Sequence, residues 1–115
     1  MAAAAALHEA TFLPLPEGEP GALGEAAADE VLKHLGGYKA LLVGCGLGRD
    51  EVTCRFIERL LGLKSQRHRR AVGFLQRQAD DEDQLSAAQQ LPPLVIDADG
   101  LNLLAQIEDW HEAAR

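Results

Sequence analysis

Two short apolar stretches, each followed by a sharp turn, constrain the fold of this chain more than any other feature. Leu94 to Ile96 leads into Asp97-Ala98-Asp99-Gly100, and Leu41 to Val43 leads into Gly44-Cys45-Gly46-Leu47-Gly48. Each pattern predicts a strand, from Tyr38 to Val43 and from Leu94 to Asp97, followed by a tight turn and the start of a helix. Unbroken apolar runs of this length favour strands covered on both faces, as in a parallel sheet. Because open α/β sheets bind ligands just outside the carboxyl ends of their strands, we expect the functional site at these two turns.

Composition favours one small globular domain. The chain has 115 residues and a formal net charge of −7, which argues against a broad nucleic-acid surface because phosphate binding needs positive patches. No apolar run approaches the length of a membrane span, and the run from Ala2 to Ala6 lacks the cationic flank of a secretion signal. With two cysteines in such a chain, we expect reduced thiols and a cytoplasmic location.

The remaining elements are predicted from apolar periodicity and from glycine and proline. Thr11 to Leu15 is predicted to be a short edge strand, followed by a turn-rich connection. Helices are predicted from Glu25 to the Gly36-Gly37 pair and from about Asp50 to Leu61, because apolar residues recur at helical spacing in both. Asp99 is predicted to be the N-cap of a short third helix.

One segment does not fit a simple strand–helix–strand order. Residues 64–90 open with a basic block and later enter an acidic block, which a crossover between parallel strands does not need. We interpret this segment as a charged insertion. Its basic block is compatible with a phosphate contact, but a solvated loop whose opposite charges attract is the favoured interpretation. Residues 1–10 are predicted to be a disordered N-terminal extension, and residues 11–115 form the α/β unit.

The glycine-rich turn points to an anionic ligand. Gly44, Gly46 and Gly48 form a GxGxG loop, whose backbone a ligand can approach closely and whose N–H groups favour an anion or a diphosphate. The loop departs from the dinucleotide fingerprint, which needs GxGxxG and a later acid, and from the Walker loop, which needs a following GKS or GKT. Cys45 is a weak nucleophile candidate, because no histidine is close in sequence to act as its base.

The acidic turn has two interpretations. Asp97 and Asp99 lie two residues apart at a strand end, which would suit a metal ion or a ribose. The ordinary alternative is a helix cap for Asp99, whereas a buried Asp97 would need a partner, because burying an unpaired carboxylate is costly. The four histidines and two cysteines show no metal-site spacing, so we predict no metal site.

The two turns together resemble the NAD(P)H-hydrate dehydratase family, the carboxy-terminal domain of YjeF-type proteins. The resemblance is carried by Val43-Gly44-Cys45-Gly46-Leu47-Gly48-Arg49-Asp50 and by the segment from Pro93 to Ala105. These are similar to a GPGLG loop and a PLVxDADALNLLA segment. Thr11 to Glu17 and the helix after it are also similar to the family. Cys45 stands where the family usually has proline, Gly100 replaces a common alanine, and residues 64–90 match nothing in the pattern.

The resemblance implies a parallel-sheet, three-layer ribokinase-like fold and an ADP- or ATP-dependent dehydration of NAD(P)H hydrate to NAD(P)H, with Mg as a further candidate cofactor. It implies a substrate site for NAD(P)H hydrate or a related dinucleotide formed by Gly44, Gly46, Leu47, Gly48, Asp97, Asp99 and Asn102. The family's histidine-proline-glycine-glutamate segment and its catalytic aspartate loop would follow Ala105, and neither appears before Arg115. We therefore expect a partial domain that has no catalytic residue and is inactive alone.

Two alternatives stay open. One is a non-catalytic α/β binding or assembly module derived from the same fold, and the other is a fragment of a ribokinase-like small-molecule kinase. The sequence from Asp97 to Asn102 favours the dehydratase over the kinase. A partial domain leaves sheet edges and core surface uncovered. We therefore expect a homo-oligomer or association with the missing half of the domain, and no nucleic-acid or membrane partner.

Overall fold

The computed structural model describes residues 5–63, 91–108 and 110–113. The elements in chain order are β1 (Glu17–Glu19), β2 (Ala22–Leu23), α1 (Glu25–His34), β3 (Leu41–Val43), α2 (Glu51–Leu61), β4 (Leu94–Ile96), α3 (Asp99–Leu104) and α4 (Trp110–Ala113). This mixture of helices and strands is compatible with the predicted α/β class. The predicted charged insertion at 64–90 lies outside the described residues, as do residues 1–4 of the predicted extension.

The parallel strand pair predicted from the two apolar stretches is present. β3 and β4 are hydrogen-bonded neighbours, and their register pairs Leu41 with Leu94, Leu42 with Val95 and Val43 with Ile96. The pairing continues past the strand ends, where the Asp97 N–H donates to the Val43 carbonyl oxygen at 3.0 Å. Because the strands run in the same direction with their ends aligned, the two turns lie side by side.

The hydrophobic core forms where helices pack against one face of this strand pair. Ile57 of α2 and Leu103 of α3 are completely buried, and Val43 of β3 belongs to the same cluster. α1 adds Ala27 and Ala28, whose small side chains are fully buried in that cluster. The helical periodicity of the sequence therefore corresponds to a packed helical layer on one side of the sheet.

The other face of the strand pair is uncovered, and the prediction of strands covered on both faces is wrong for these residues. Leu42 is 64% exposed and Val95 is 57% exposed, and the two are opposite each other in the register. Alternate residues of a strand point to opposite faces, so these two side chains share the face away from the core. Within the described ranges, the helices supply one covering layer, and the three-layer architecture stays a prediction.

The N-terminal strand was predicted in the wrong place. Thr11 to Leu15 forms no strand, whereas β1 and β2 form a small antiparallel hairpin in the stretch predicted to be an irregular connection. The hairpin turns at Gly21, which has a φ of +79°. The prediction failed because Glu17-Gly18-Glu19 has no apolar alternation, and a short hairpin can depend on its turn geometry and backbone pairing instead.

Both longer helices lie where the periodicity predicts them. α1 ends at His34 with Leu35 as its C-cap, just before the Gly36-Gly37 pair, and α2 begins after Asp50. Gly62 caps α2 in the left-handed conformation with a φ of +66°, and its N–H donates to the Arg59 carbonyl oxygen. Among the helices of the described residues, none is both long enough and apolar enough to cross a membrane.

Thr53 of α2 provides a test of this packing. Its side chain is 0% exposed, and its hydroxyl oxygen has no hydrogen-bond partner among the described residues. Leaving a buried hydroxyl unpaired costs about 1–3 kcal/mol, and valine has almost the same shape. We expect Thr53→Val to raise the free energy of unfolding by about 1 kcal/mol in urea denaturation. Thr53→Ser, which keeps the hydroxyl and removes a methyl group, should lower it. A less stable Thr53→Val would mean that the hydroxyl is paired in solution.

Candidate functional site

The site lies where the turn after β3 meets the turn after β4. We call Gly44 to Arg49 the glycine loop and Asp97 to Asp99 the acidic turn. Gly44 is buried with a φ of +140°, and a Cβ built on it would lie 1.7 Å from the Asp97 carbonyl oxygen. A Cβ built on Gly100 would lie 3.0 Å from the Gly44 Cα. The absence of side chains at Gly44 and Gly100 therefore lets the two turns pack backbone against backbone.

Beyond Gly44, the glycine loop presents its backbone to solvent. Gly46 and Gly48 have φ values of +78° and +80°, which favour glycine. A Cβ built on Gly46 would have no atom within 4 Å, whereas Leu47 and Gly48 are half-buried. Cys45 is exposed. The middle of the loop is thus backbone that a ligand can reach without first displacing a side chain.

The carboxylate of Asp99 joins the acidic turn to the glycine loop. Its Oδ2 accepts a hydrogen bond from the Gly48 backbone N–H at 3.0 Å, and its Oδ1 accepts one from Arg49 Nε at 3.2 Å. The side chain of Asp99 is 27% exposed and that of Arg49 is 65% exposed. Both oxygens of this carboxylate are therefore bonded to the loop.

The prediction that Asp99 caps α3 is wrong. The N-cap position is occupied by Ala98, and Asp99 is the first helical residue, with no side-chain cap hydrogen bond at this helix start. The carboxylate instead bonds Gly48, which lies 51 positions earlier in the sequence. A capping rule considers only donors in the same helix, and here the donors come from a neighbouring loop.

Asp97 has a partner of its own. Its Oδ1 accepts a hydrogen bond from the Ala98 N–H at 2.7 Å, and its side chain is exposed. The two carboxylates of the acidic turn are therefore bonded to different donors. Ala98 between them has a φ of +50° and a ψ of −125°, a strained conformation for a residue with a Cβ.

Asn102 lies one helical turn further along α3. Its Nδ2 donates to the Ala98 carbonyl oxygen at 3.3 Å, and the residue is exposed. Asn102 thus bonds the acidic turn. The structure accordingly brings Gly44, Gly48, Asp97 and Asp99 together, places Gly46 and Leu47 in the same loop, and sets Asn102 on the adjoining helix.

The described residues do not form a metal-binding cluster of their own, and Mg²⁺ as a cofactor stays a prediction. The described part of the chain contains no cluster of three or more His, Cys, Asp or Glu side chains that would hold a metal. Asp99 accepts a hydrogen bond at each of its two carboxylate oxygens, and Asp97 accepts one at Oδ1.

Arg49 is the site residue that the sequence reasoning missed. It was part of the motif that carries the family resemblance, but it was not among the predicted binding residues. The available signal was its position: a cation directly after the last glycine of the loop, in a chain with a net charge of −7. Its pairing with Asp99 makes it part of the site.

Comparison with known proteins finds an enzyme that is similar to most of this chain. The chain is similar to the bifunctional NAD(P)H-hydrate repair enzyme Nnr of Salinibacter ruber, with 36% identity over 103 residues, which is 89% of the chain. The chain spans 14% of the length of that enzyme. No protein-family model matches the chain, and no solved structure matches it. The similarity supports the family that the two turns resemble.

Proposed function

We propose that this chain forms part of the substrate-binding wall of an NAD(P)H-hydrate repair enzyme, one that uses ADP or ATP to dehydrate NAD(P)H hydrate. The observation that carries the proposal is the open backbone at Gly46, in a loop whose two ends are held against the acidic turn. Backbone N–H groups at a strand-to-helix turn, beside the guanidinium of Arg49, suit the diphosphate of a dinucleotide. The similarity to the repair enzyme of Salinibacter ruber supports the substrate class.

In this proposal the described residues bind the substrate and do not break its bonds. The glycine loop lies against the ligand, and Asp97 uses the carboxylate oxygen that is not bonded to Ala98 to accept a hydrogen bond from a ligand hydroxyl. The catalytic acid or base and the ADP or ATP, with any Mg²⁺, are supplied from outside these residues. The described residues then form part of a ribokinase-like domain.

Gly46→Val tests this proposal. A valine side chain at the open position occupies the space through which a ligand reaches the loop backbone, so we expect the affinity for NADH and NADPH to fall about tenfold or more in calorimetric titrations. Gly21→Val is the matched control, because Gly21 has a φ of +79°, has no atom within 4 Å of a built Cβ, and lies in the β1–β2 hairpin. Equal affinity for wild type and Gly46→Val would contradict the assignment of the site.

The uncovered sheet face favours a second function, that of an assembly module. Leu42 and Val95 form a cross-strand apolar pair that is more than half exposed on both strands. Adjacent exposed apolar side chains in a sheet are typical of a contact surface. We propose that a second copy of the chain covers this face.

Sedimentation velocity tests whether the chain assembles through this face. We expect wild-type protein to self-associate with increasing concentration and Leu42→Lys to stay monomeric, because a charged side chain is costly to bury in an apolar contact. Tyr38→Lys is the control, since Tyr38 is 61% exposed and lies outside the strand pair. A wild-type chain that is monomeric at every concentration would contradict self-association.

A further inference from the structure

We infer that Asp99 is a positioning residue, which holds the glycine loop in its binding shape and does not itself contact the ligand. We call Asp99, Gly48 and Arg49 the loop clasp. The inference rests on the proposed function only for the nature of the ligand. Its structural basis is that both carboxylate oxygens are already engaged, at 3.0 Å by the Gly48 N–H and at 3.2 Å by Arg49 Nε.

The loop clasp fixes one end of the glycine loop, and close packing fixes the other. Gly44 at the start of the loop is pressed against the Asp97 backbone, and Gly48 near its end is bonded to Asp99. Cys45 and Gly46 between these anchors are exposed. Glycine has more backbone freedom than any other residue, so the loop needs both anchors to keep one shape. Ordering the loop before binding reduces the entropy lost when a ligand binds.

Arg49 is held in a way that leaves much of its guanidinium available. The contact with Asp99 is made through Nε, and the terminal nitrogens have no hydrogen-bond partner within the described residues. A guanidinium carries several further N–H donors arranged in a plane, which suits phosphate oxygens. The side chain is 65% exposed, so the ion pair itself adds little to stability. We therefore assign the Asp99–Arg49 ion pair the role of positioning the Arg49 side chain.

Removing the charge of Asp99 distinguishes a positioning role from a purely electrostatic effect on the ligand. If Asp99 were only a negative charge near an anionic ligand, its neutralisation would strengthen binding or leave it unchanged. If Asp99 positions the loop, Asp99→Asn weakens binding, because the amide can place an N–H donor against the N–H donor of Arg49. The two roles therefore predict effects of opposite sign on affinity.

The test compares Asp99→Asn and Asp99→Ala with the control Asp50→Asn. Asp50 is an exposed acid whose Oδ2 lies 3.7 Å from a Cβ built on Gly48, and it makes no side-chain cap hydrogen bond to α2. Two quantities are measured on the full chain: the hydrogen-exchange rate of the Gly48 amide by NMR, and the affinity for NADH by calorimetry. The control removes one negative charge beside the same loop and leaves the loop clasp intact.

We expect Asp99→Ala to accelerate Gly48 amide exchange about tenfold or more, since the amide loses a charged acceptor. We expect about a tenfold loss of NADH affinity in the same variant. Asp99→Asn keeps an acceptor for the Gly48 N–H, so its exchange rate should change little while its NADH affinity falls. Asp50→Asn should leave Gly48 exchange unchanged and bind NADH as tightly as wild type or more tightly.

Unchanged Gly48 exchange in Asp99→Ala would overturn the loop clasp. If Asp99→Ala fails to fold, Asp99→Asn still decides the role of Asp99, because unchanged or tighter NADH binding by that variant would overturn positioning. A wild-type chain that does not bind NADH would overturn the proposed function. The Gly48 exchange rates would still decide whether Asp99 holds the loop.

Discussion

Gly44→Ala is expected to lower the free energy of unfolding by about 4 kcal/mol or more. The alanine Cβ would lie 1.7 Å from the Asp97 carbonyl oxygen and 2.7 Å from the Asp97 carbonyl carbon. These are backbone atoms, so no rotation of a side chain relieves the overlap, and the loop must separate from the acidic turn. The φ of +140° adds backbone strain for a residue with a Cβ. Urea denaturation followed by circular dichroism measures the loss.

The controls for Gly44→Ala separate steric overlap from backbone strain. Gly46→Ala and Gly21→Ala also place a Cβ on a residue with positive φ, but neither Cβ would have an atom within 4 Å. We expect each to cost about 1–2 kcal/mol, the strain of the left-handed conformation alone. If Gly44→Ala were no more destabilising than Gly46→Ala, the close contact between the two turns would be contradicted.

Ile57→Ala is expected to destabilise the protein by about 2–5 kcal/mol, through the lost transfer energy of the side chain and the cavity it leaves. Ile57 is 0% exposed and belongs to the core cluster that joins α1, α2, α3 and β3. A smaller truncation, Ile57→Val, should cost about 0.5–1.5 kcal/mol. Both values come from the same urea experiment.

Leu42→Ala is the matched control for the core. Leu42 lies in the apolar run of β3 but is 64% exposed, so its truncation should change stability by no more than about 0.5 kcal/mol in dilute protein. A cost as large as that of Ile57→Ala would mean that the face carrying Leu42 is covered in solution. Comparing the stability losses of Leu42→Ala and Ile57→Ala therefore tests whether the face of β3 that carries Leu42 is exposed in solution.

Much of the local structure was predictable from the sequence. The apolar runs correctly predict β3 and β4 and their parallel pairing, and helical spacing correctly predicts α1 and α2. Gly62, directly after α2, is in the left-handed conformation that glycine favours. The hairpin of β1 and β2 was missed, because its residues have no strand-like alternation of apolar side chains.

The candidate site was only partly predictable. The sequence places glycines and acids at two neighbouring strand ends, and the structure brings Gly44, Gly48, Asp97 and Asp99 together. Their roles as ligand contacts stay predictions. The sequence predicts Asp99 both as a helix cap and as a residue of the substrate site, and it leaves Arg49 out of the site. A carboxylate bonds the donor that folding brings near, and here that donor is far away along the chain.

The sequence alone was sufficient to predict the two longer helices and the strands β3 and β4. Each of these elements depends on residues a few positions apart, through apolar spacing or a glycine at a turn or helix end. Three other features required the folded chain: the bond from Gly48 to Asp99, the contact of Gly44 with Asp97, and the exposed face of the strand pair. The first joins residues 51 positions apart, and the second joins two different turns. The third depends on where the helices pack, because an apolar run does not specify which of its faces a neighbouring layer will cover.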